Sequence, residues 1–494
     1  MEGAPLRIAL LSYRSLPTCG GQGVYVRHLS RELVRLGHQV RVVSGPPYPV
    51  LDAGVDLTKL PSLDLYREPD PFRWPGLHEF HGIADAVEFG VMRTGQFSEP
   101  LAFSIRAYQA LRPPKPARAG LAGWLRRGQA GRGAGTAGAG SGPGGLSGLD
   151  FDIVHDNQGL GYGLLALRRA LRPYGIPLVA TVHHPITVDR RLQLAATTGL
   201  RARAGVRLWY SFLPMQARVA RALDGITVPS ESSRREIQTD MGLPYERMHT
   251  IPLGVDADVF TPGTPSTGSR VPGRIVVVTS ADVPLKGLLV LLEALAKIRV
   301  ERPLAHLVCV GKVREGGAAQ RQVGELGLTD AVTFRSNIPE SELVDLLRSA
   351  EVAVVPSLYE GFSLPAVEEM ACGLPLVATT AGALPEVAGP HGEAALLVPP
   401  GDTGALAAAI TTLLDNPELR ARLGAEGRRR VERRFSWRRP PPTGTPSGSR
   451  PSGGRPPARP PGCPVVCPVV RAAPPTGRYR RWPACRGRLR RKQP

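Results

Sequence analysis

The chain contains two successive series of short apolar segments that alternate with segments of helical periodicity. In the first series, apolar segments at 6–12 and 39–44 flank a stretch with apolar residues at helical spacing, and the second series starts at Arg274. Strands that alternate with helices form parallel sheets covered by helices. The sequence therefore predicts the α/β class, with two Rossmann-like, doubly wound parallel-sheet domains that face a cleft.

Changes in composition predict the domain boundaries. The first domain is expected at residues 1–255 and the second at 273–436, joined by a linker at 256–272 that is rich in Pro, Gly, Thr and Ser. Residues 113–148 form a Gly, Ala, Arg and Pro tract without apolar periodicity. Such a tract cannot bury enough apolar surface to offset its ordering entropy, so we expect a disordered insertion in the first domain.

The C-terminal segment 437–494 differs from the rest of the chain. After Trp437, Arg, Pro, Gly and Ala make up 39 of 57 residues, and there are 14 Lys and Arg but no acidic residue. Two interpretations are open: a frameshift near Trp437, in the gene or its sequence, which we favour, or a genuine disordered basic tail. Without this segment the net charge falls from +20 to +6, a mild excess that fits an anionic substrate or an acidic membrane surface.

Composition also bears on the compartment. No apolar run approaches the roughly 18–20 residues that span a bilayer, and the N-terminus lacks the basic and apolar regions of a signal peptide. The chain has only six cysteines, and Cys19, Cys309 and Cys372 lie far apart before the C-terminal segment, which suggests a reducing environment. We therefore expect a cytoplasmic protein, with peripheral contact at the inner membrane face as an option.

The segment YEGFSLPAVEE, residues 359–369, is the strongest candidate site. It follows the apolar run 352–355, which is typical of a buried strand, and Ser363 with Pro365 marks the start of a helix. Glu360 is then placed at the carboxyl end of the strand and Glu368 about one turn into the helix. Free backbone N–H groups between them favour an anionic ligand.

Several motifs carry a family resemblance. The pattern Glu, seven residues, Glu in that segment occurs together with GGQGVYVRHLSRELVRLGHQV, TVHHP, IPLGVDADVF and LKGLLVLLEAL. In this order they resemble the retaining glycosyltransferases of family four, also called glycosyl transferases group 1, which have the GT-B fold. The resemblance implies a hexosyltransferase that moves a sugar from a nucleotide-diphosphate sugar to an acceptor hydroxyl. It implies retention of anomeric configuration, no metal and no cofactor, since the sugar nucleotide is a substrate.

The resemblance also implies roles for individual residues. His183 would touch the donor sugar beside its anomeric carbon, Glu360 would contact the sugar hydroxyls, Glu368 would contact the ribose hydroxyls, and Lys286 would hold the diphosphate. The implied catalytic residues are His183, Lys286 and Glu360. The implied donor-binding residues are Gly20, Gly21, Gly23, Lys286, Ile338, Gly361, Phe362, Ser363, Leu364 and Glu368.

The residues by themselves leave alternatives open. The glycines fit an ordinary tight turn as well as a phosphate loop, and His183 with His184 fits a pair that caps a sheet. Lys286 fits a solvated lysine of a first helical turn. One departure from the family is clear: its usual arginine, five or six residues before this lysine, is replaced by Ser280 and Ala281. Lys312 is a candidate to compensate.

Two Asp-x-Asp sequences spell the metal motif of the other glycosyltransferase fold. Asp256 and Asp258 lie in the predicted linker, and Asp150 and Asp152 lie at the start of a strand. No His or Cys cluster has zinc spacing. We therefore predict no metal site.

Two other functions are retained as alternatives. A same-fold sugar-nucleotide epimerase or hydrolase would use the same donor site, and a nucleic-acid binder would use the basic tail. The tail offers only Tyr479 and Trp482 for base stacking, so no specific nucleic acid is expected. The predicted partners are a nucleotide-sugar donor and a sugar, lipid-linked or small-molecule acceptor. The base, the sugar and the acceptor are not determined by the sequence.

Overall fold

The computed structural model describes residues 4–16, 21–67, 70–114, 146–263, 270–279 and 283–437. Gly20, Ser280, Ala281 and the segment after Trp437, for which the sequence made predictions, lie outside this part of the chain. Within it, no helix is long and apolar enough to cross a bilayer.

The first domain contains a seven-stranded parallel sheet of strand order β3-β2-β1-β4-β5-β6-β7. These strands are Arg7–Ser12, Gln39–Ser44, Asp56–Lys59, Ile153–Asn157, Leu178–Thr181, Gly225–Val228 and Met248–Thr250, numbered β1 to β7. Helices α1 to α8 are Gly21–Arg35, Ile83–Arg93, Glu99–Leu111, Gly163–Leu171, Ile186–Ala196, Leu200–Trp209, Leu213–Ala222 and Glu231–Met241.

The second domain contains a six-stranded parallel sheet of strand order β10-β9-β8-β11-β12-β13. Strands β8 to β13 are Arg274–Val278, His306–Val310, Val332–Arg335, Val352–Val355, Leu376–Thr379 and Ala395–Val398. Helices α9 to α15 are Leu288–Glu301, Ala318–Glu325, Glu340–Ser349, Leu364–Ala371, Leu384–Ala388, Thr403–Asp415 and Pro417–Arg434. The prediction of two doubly wound parallel sheets is confirmed.

The structure differs from the sequence prediction at the edge strands of the first sheet and at one segment boundary. Strands β3 and β7 were not predicted because they are short edge strands, four and three residues long, with polar or partly exposed residues. The apolar strands β12 and β13 follow helix α12 and complete the second series. The insertion predicted at 113–148 extends too far, because Leu146 is buried and Gly148 packs against the end of α3. Residues 115–145 lie outside the described part.

The two domains meet again after α15. The backbone N–H of Val255 donates to Phe435 at 2.7 Å, and the N–H of Trp437 donates to Val255 at 3.2 Å. The Trp437 indole is buried and stacks on the His28 ring of α1, with centroids 6.2 Å apart. A single hydrophobic cluster contains residues of both sheets, such as Leu10 and Val355. The end of the described chain therefore fixes the second domain against the first.

Candidate active site

The candidate site lies where the strand order of each sheet reverses. In the second sheet β8 lies between β9 and β11, so the loops after β8 and β11 leave in opposite directions. In the first sheet β1 and β4 form the equivalent pair. Such points leave a crevice outside the carboxyl ends of the strands, where ligands of open α/β sheets bind. Lys286 follows β8 and Glu360 follows β11, so the topology brings these two predicted residues together.

Lys286 and Glu360 form an ion pair at this crevice. The Nζ of Lys286 donates to Oε1 of Glu360 at 2.8 Å, and the hydroxyl of Ser357 donates to the same oxygen at 2.8 Å. Glu360 is 8 % exposed, whereas the lysine side chain is 35 % exposed. The carboxylate is thus fixed by two donors, while the ammonium remains open to the cleft.

A glycine allows this pair to form. Gly287, directly after Lys286, has φ +68°, and a Cβ there would lie 2.0 Å from the carbonyl oxygen of Pro356. The N–H of Leu358 also donates to Leu285 O at 2.7 Å. Only glycine permits the loops after β8 and β11 to approach this closely.

Ser363 begins helix α12 as predicted. Its hydroxyl accepts a hydrogen bond from the N–H of Ala366 at 3.4 Å, which is the arrangement of an N-cap. Its φ of +83° lies in the left-handed region, which costs a non-glycine residue of order 1–3 kcal/mol. This strained conformation directs the amino end of α12 towards the crevice beside Glu360.

The loop between Glu360 and Ser363 touches the first domain directly. The carbonyl oxygen of Gly361 accepts hydrogen bonds from Ser230 Oγ at 2.7 Å and from Ser233 Oγ at 3.0 Å. A Cβ on Gly361 would lie 2.6 Å from Cβ of His184. The two domains are therefore in contact at the residue that follows Glu360.

Two neighbouring acids on α12 differ in their environments. Glu368 is half-buried, and burial together with the nearby Glu340 raises its pKa to about 7. Glu369 is fully buried, and neither of its carboxylate oxygens has a hydrogen-bond partner among the described residues. Burial, with the charges of Glu368 and Glu360, holds its pKa well above the usual range. Glu368 thus remains available to a ligand, whereas Glu369 is enclosed.

His183 occupies the opposite side of the crevice, after β5. Its Nε2 pairs with Asn157 Oδ1 at 2.6 Å, and its backbone N–H donates to Gln158 Oε1 at 2.6 Å. Its ring contacts the Tyr25 ring edge-on, with centroids 4.7 Å apart. Burial lowers the pKa of His183 to about 3, with smaller contributions from His184 and His155. The imidazole is therefore neutral at neutral pH.

A buried chain of hydrogen bonds supports this side. Thr181 Oγ1 lies 2.7 Å from His155 Nε2, 2.7 Å from Thr227 Oγ1 and 3.2 Å from the Tyr25 hydroxyl. Burial lowers the pKa of His155 to about 4. Every one of these groups is neutral at neutral pH, so this network holds shape without adding charge.

The remaining predicted residues lie near the loop that follows Glu360 or at the start of α1. Gly21 begins α1, and its position lies opposite Leu364, because a Cβ there would be 3.5 Å from Leu364 Cδ1. Gly23 is packed against the backbone of Ser15 and Leu16, where a Cβ would approach to 2.6 Å, so a side chain does not fit at this position. Phe362 is buried and packs edge-on against Phe435.

Ile338 follows β10 and packs against the hydrophobic cluster shared by the two sheets. It is partly exposed, next to Asn337, which has φ +56°.

The acids of the Asp-x-Asp sequences are engaged in structural contacts. Asp256 accepts from Arg31 at 2.7 Å, and Asp152 accepts from Arg7 at 2.9 Å. Asp150 accepts from the backbone N–H of Ser147 at 2.8 Å, within a helical turn. Across the described ranges, no group of three or more His, Cys, Asp or Glu is arranged to hold a metal ion.

Sequence reasoning missed three contributors to the site. Ser357, which binds Glu360, follows the buried strand β11, and Asn157, which binds His183, is the last residue of the buried strand β4. A position at the carboxyl end of a buried strand is the signal that would have identified them. Ser230, which contacts Gly361, is the N-cap of α8. A capping serine has no sequence signal for a second partner in another domain.

Comparisons with known families agree with the two-domain division. The family model described as glycosyltransferase family 4 matches residues 19–259, and the model for glycosyl transferases group 1 matches residues 265–430. The chain belongs to glycosyltransferase family four. It is a glycosyltransferase, as the resemblance implied, and neither the epimerase nor the nucleic-acid alternative gains support.

Individual glycosyltransferases are similar to most of the chain. The "MMP alpha-(1->4)-mannosyltransferase" of Mycolicibacterium hassiacum is 50% identical over 87% of this chain and 95% of that protein. The "D-inositol 3-phosphate glycosyltransferase 2" of Catenulispora acidiphila is 28% identical over 88% and 93%. Among solved structures, sucrose-phosphate synthase from Thermosynechococcus elongatus has a TM-score of 0.60 at 24% identity, covering 87% and 95%. The fold of this family-four protein is GT-B.

Proposed function

We propose that this protein transfers a mannosyl group from a nucleotide-diphosphate mannose to a hydroxyl of a sugar acceptor, with retention of anomeric configuration. The single observation that supports this most is the ion pair of Lys286 with Glu360 beside the amino end of α12. The choice of mannose is supported by the 50% identity to a mannosyltransferase. Retention follows the family.

The diphosphate is proposed to bind between Lys286 and the amino end of α12. When the bond from the anomeric carbon to the phosphate oxygen breaks, negative charge grows on that oxygen. A helix N-terminus stabilises an anion by about 0.3–1 kcal/mol, whereas a hydrogen bond from a charged group contributes about 1.5–3 kcal/mol. Lys286 is therefore proposed as the main electrostatic contributor.

The two acidic residues of the loop are proposed to bind different parts of the donor. Glu360, fixed by Ser357 and Lys286, would accept hydrogen bonds from hydroxyls of the sugar. Glu368, half-buried one turn into α12, would accept hydrogen bonds from the ribose hydroxyls. Ionised Glu368 is the form that binds, so donor affinity should increase as pH rises through about 7.

His183 is proposed to position the sugar, not to transfer a proton. Its low pKa keeps it neutral, and Asn157 fixes its ring orientation. With retention, the acceptor approaches the face from which the phosphate departs. The acceptor oxygen then bonds to the anomeric carbon, and its proton passes to the departing phosphate oxygen, the nearest base.

Peripheral membrane contact is a further part of the proposal, supported by helix α6. None of its residues is buried, Leu200 is 87 % exposed, and Arg201, Arg203 and Arg207 lie along it. Exposed apolar and basic side chains together bind anionic lipid surfaces. Co-sedimentation with vesicles containing anionic lipid, compared with neutral vesicles, tests this contact.

A donor panel tests the central proposal. Melting temperatures measured with UDP-, GDP- and ADP-mannose and with the corresponding glucose nucleotides should rise with at least one mannose donor. Transfer to a mannoside should yield a new α-linkage by NMR, and excess chelator should leave the rate unchanged. Donor turnover without any glycoside product would favour the epimerase or hydrolase alternative. Loss of activity on chelation, restored by manganese, would indicate a metal site and would make Asp256 and Asp258 candidate ligands.

A further inference from the structure

The amino end of helix α8 in the first domain is capped by a carboxylate of the second domain. Glu386 of α13 accepts hydrogen bonds from the backbone N–H groups of Glu231 at 2.8 Å and of Ser232 at 2.6 Å, one at each carboxylate oxygen. The first N–H groups of a helix have no partner within the helix, and the helix dipole stabilises a negative charge there. Glu386 therefore satisfies two such groups across the domain boundary.

The carboxylate of Glu231 itself is directed elsewhere. It accepts a hydrogen bond from Arg234 at 3.1 Å and pairs with the hydroxyls of Tyr245 and Thr250. The helix end is therefore open to the approach of Glu386 from the second domain.

Glu386 is also held from within its own domain. Arg430 of α15 is 7 % exposed, its Nε donates to the backbone oxygen of Val387 at 2.7 Å, and its Nη2 donates to that of Glu386 at 3.0 Å. These bonds fix α13 against the last helix of the described chain. The Glu386 carboxylate is thus presented to α8 from a fixed support.

The helix that carries Glu386 is bonded to the candidate active site. The backbone oxygen of Glu360 accepts a hydrogen bond from the N–H of Ala383 at 2.9 Å. Gly382 has φ +55°, and a Cβ there would lie 2.1 Å from the same oxygen, so glycine is required for this approach. A shift of α13 would therefore move the backbone of Glu360.

The capped end of α8 is connected in turn to His183. Strand β6 leads directly into α8, and the backbone oxygen of Thr227 in β6 accepts a hydrogen bond from the N–H of Val182 at 2.9 Å. Val182 immediately precedes His183. The contact of Glu386 with α8 thus links the strand end that carries His183 to the loop that carries Glu360.

We propose that Glu386 is a positioning residue for the transfer. By capping α8, it holds the two domains in the relative position in which Glu360 and His183 act on the same donor sugar, and it does so without contacting the donor. It adds a charged contact to the neutral one between Ser230 and Gly361. The inference rests on the proposed sugar transfer and assigns a further residue to it.

Amide hydrogen exchange of the full chain tests the contact independently of turnover. In Glu386→Ala, exchange at the N–H groups of Glu231 and Ser232 should be roughly tenfold faster than in wild type, because hydrogen bonds to a charged acceptor are lost. Exchange in β6 should stay unchanged, which shows that the first domain remains folded. Mass spectrometry with residue-level resolution measures both. Equal rates at the two N–H groups in variant and wild type would overturn the proposal.

Kinetics and nucleotide binding then separate positioning from donor binding. Glu386→Ala should lower kcat roughly tenfold, whereas its affinity for UDP or GDP, measured by calorimetry, should stay at the wild-type value. A general loss of folded protein would instead reduce the binding stoichiometry together with the rate. The exposed Glu418→Ala, in the first turn of α15, is the matched control and should change neither quantity. An unchanged kcat in Glu386→Ala, or a loss of nucleotide affinity as large as the loss in kcat, would overturn the proposal.

The partner N–H group can be removed from the other side. Proline is tolerated at the first position of a helix, so Glu231→Pro deletes one donor to Glu386, while Glu231→Ala deletes the same side chain and keeps the N–H. The proline variant should have a several-fold lower kcat than the alanine variant, and this difference should vanish in the Glu386→Ala background. A difference that persists there would contradict the proposal. If wild type transfers no sugar from any donor, the transferase proposal fails, and the exchange rates still decide the contact.

Discussion

The two sides of the crevice are built from groups of different electrostatic character. On the first domain, His155, Thr181 and Tyr25 form a buried network in which every group is neutral at neutral pH. On the second domain, the Lys286–Glu360 pair and the acids of α12 carry or can acquire charge. A charged donor diphosphate requires the second kind of surface, whereas a neutral sugar ring requires the first.

The two sides also respond to pH in opposite directions. His155 has its pKa lowered from 6.5 to about 4, so the stability it contributes is present above pH 6.5 and lost as pH falls towards 4. Glu368 has its pKa raised from 4.5 to about 7, so its contribution is present below pH 4.5 and lost as pH rises through 7. Through these two groups, acid should weaken the His155 side of the crevice and alkali the Glu368 side.

The largest expected effect is on the charged side. Lys286→Ala should reduce kcat by roughly 10²–10³-fold, the usual cost of removing one preorganised donor to developing negative charge. It also leaves Glu360 without its cationic partner. Steady-state kinetics measure this loss, and the exposed Lys297→Ala on α9 is the control. Equal rates for Lys286→Ala and Lys297→Ala would show that Lys286 does not contribute to catalysis.

Glu368→Ala should weaken donor binding by about 1.5–3 kcal/mol, because hydrogen bonds to a charged acceptor are lost. Glu360→Gln should instead lower turnover more than donor affinity. Calorimetric titration of the donor, combined with kcat for each variant, separates the two. Wild-type values for both variants would show that the loop residues are assigned wrongly.

Glu369→Gln tests the alkaline sensitivity of the second domain. Because burial opposes ionisation of this enclosed carboxyl group and raises its pKa, the variant should be more stable than wild type at pH 8.5 and differ little from it at pH 5. Denaturant unfolding at both pH values measures the difference, with Glu418→Gln as control. A variant that is destabilised equally at both pH values would indicate a partner for the ionised carboxylate.

The smallest effect is expected on the neutral side. His155→Gln retains a hydrogen-bonding group towards Thr181 but does not become protonated. Between pH 7 and pH 4.5, the free energy of unfolding should therefore fall by about 1 kcal/mol less in the variant than in wild type. Unfolding at these two pH values tests this, and the exposed His391→Gln serves as control. If the free energy of unfolding falls equally in His155→Gln and in wild type, residues other than His155 cause the acid sensitivity.

The tail after Trp437 remains a separate proposal. Because Trp437 contacts His28 and Val255 at the domain joint, replacing the residues after it by the alternative-frame translation should raise the melting temperature and turnover if a frameshift is present. Equal values for the two chains would contradict that interpretation.

The sequence by itself determined the alternation of strands and helices, the helix start at Ser363 and the placement of Glu360 and Glu368 around it. These features depend on local periodicity, on capping and on the conformations of single residues, all of which are encoded within a few neighbouring positions. The family motifs extended this local information to a function, and the comparisons confirmed that function.

Only the tertiary structure decided which distant residues meet. The pairing of Lys286 with Glu360, the contact of Ser230 with Gly361 and the enclosure of Glu369 each join segments separated by other elements or depend on packing from several sides. The burial of Glu99 beside Arg14 is likewise invisible in sequence, since a glutamate at a helix start is ordinarily solvated. Burial and pairing belong to the assembled fold, and they set the charge of each side of the crevice.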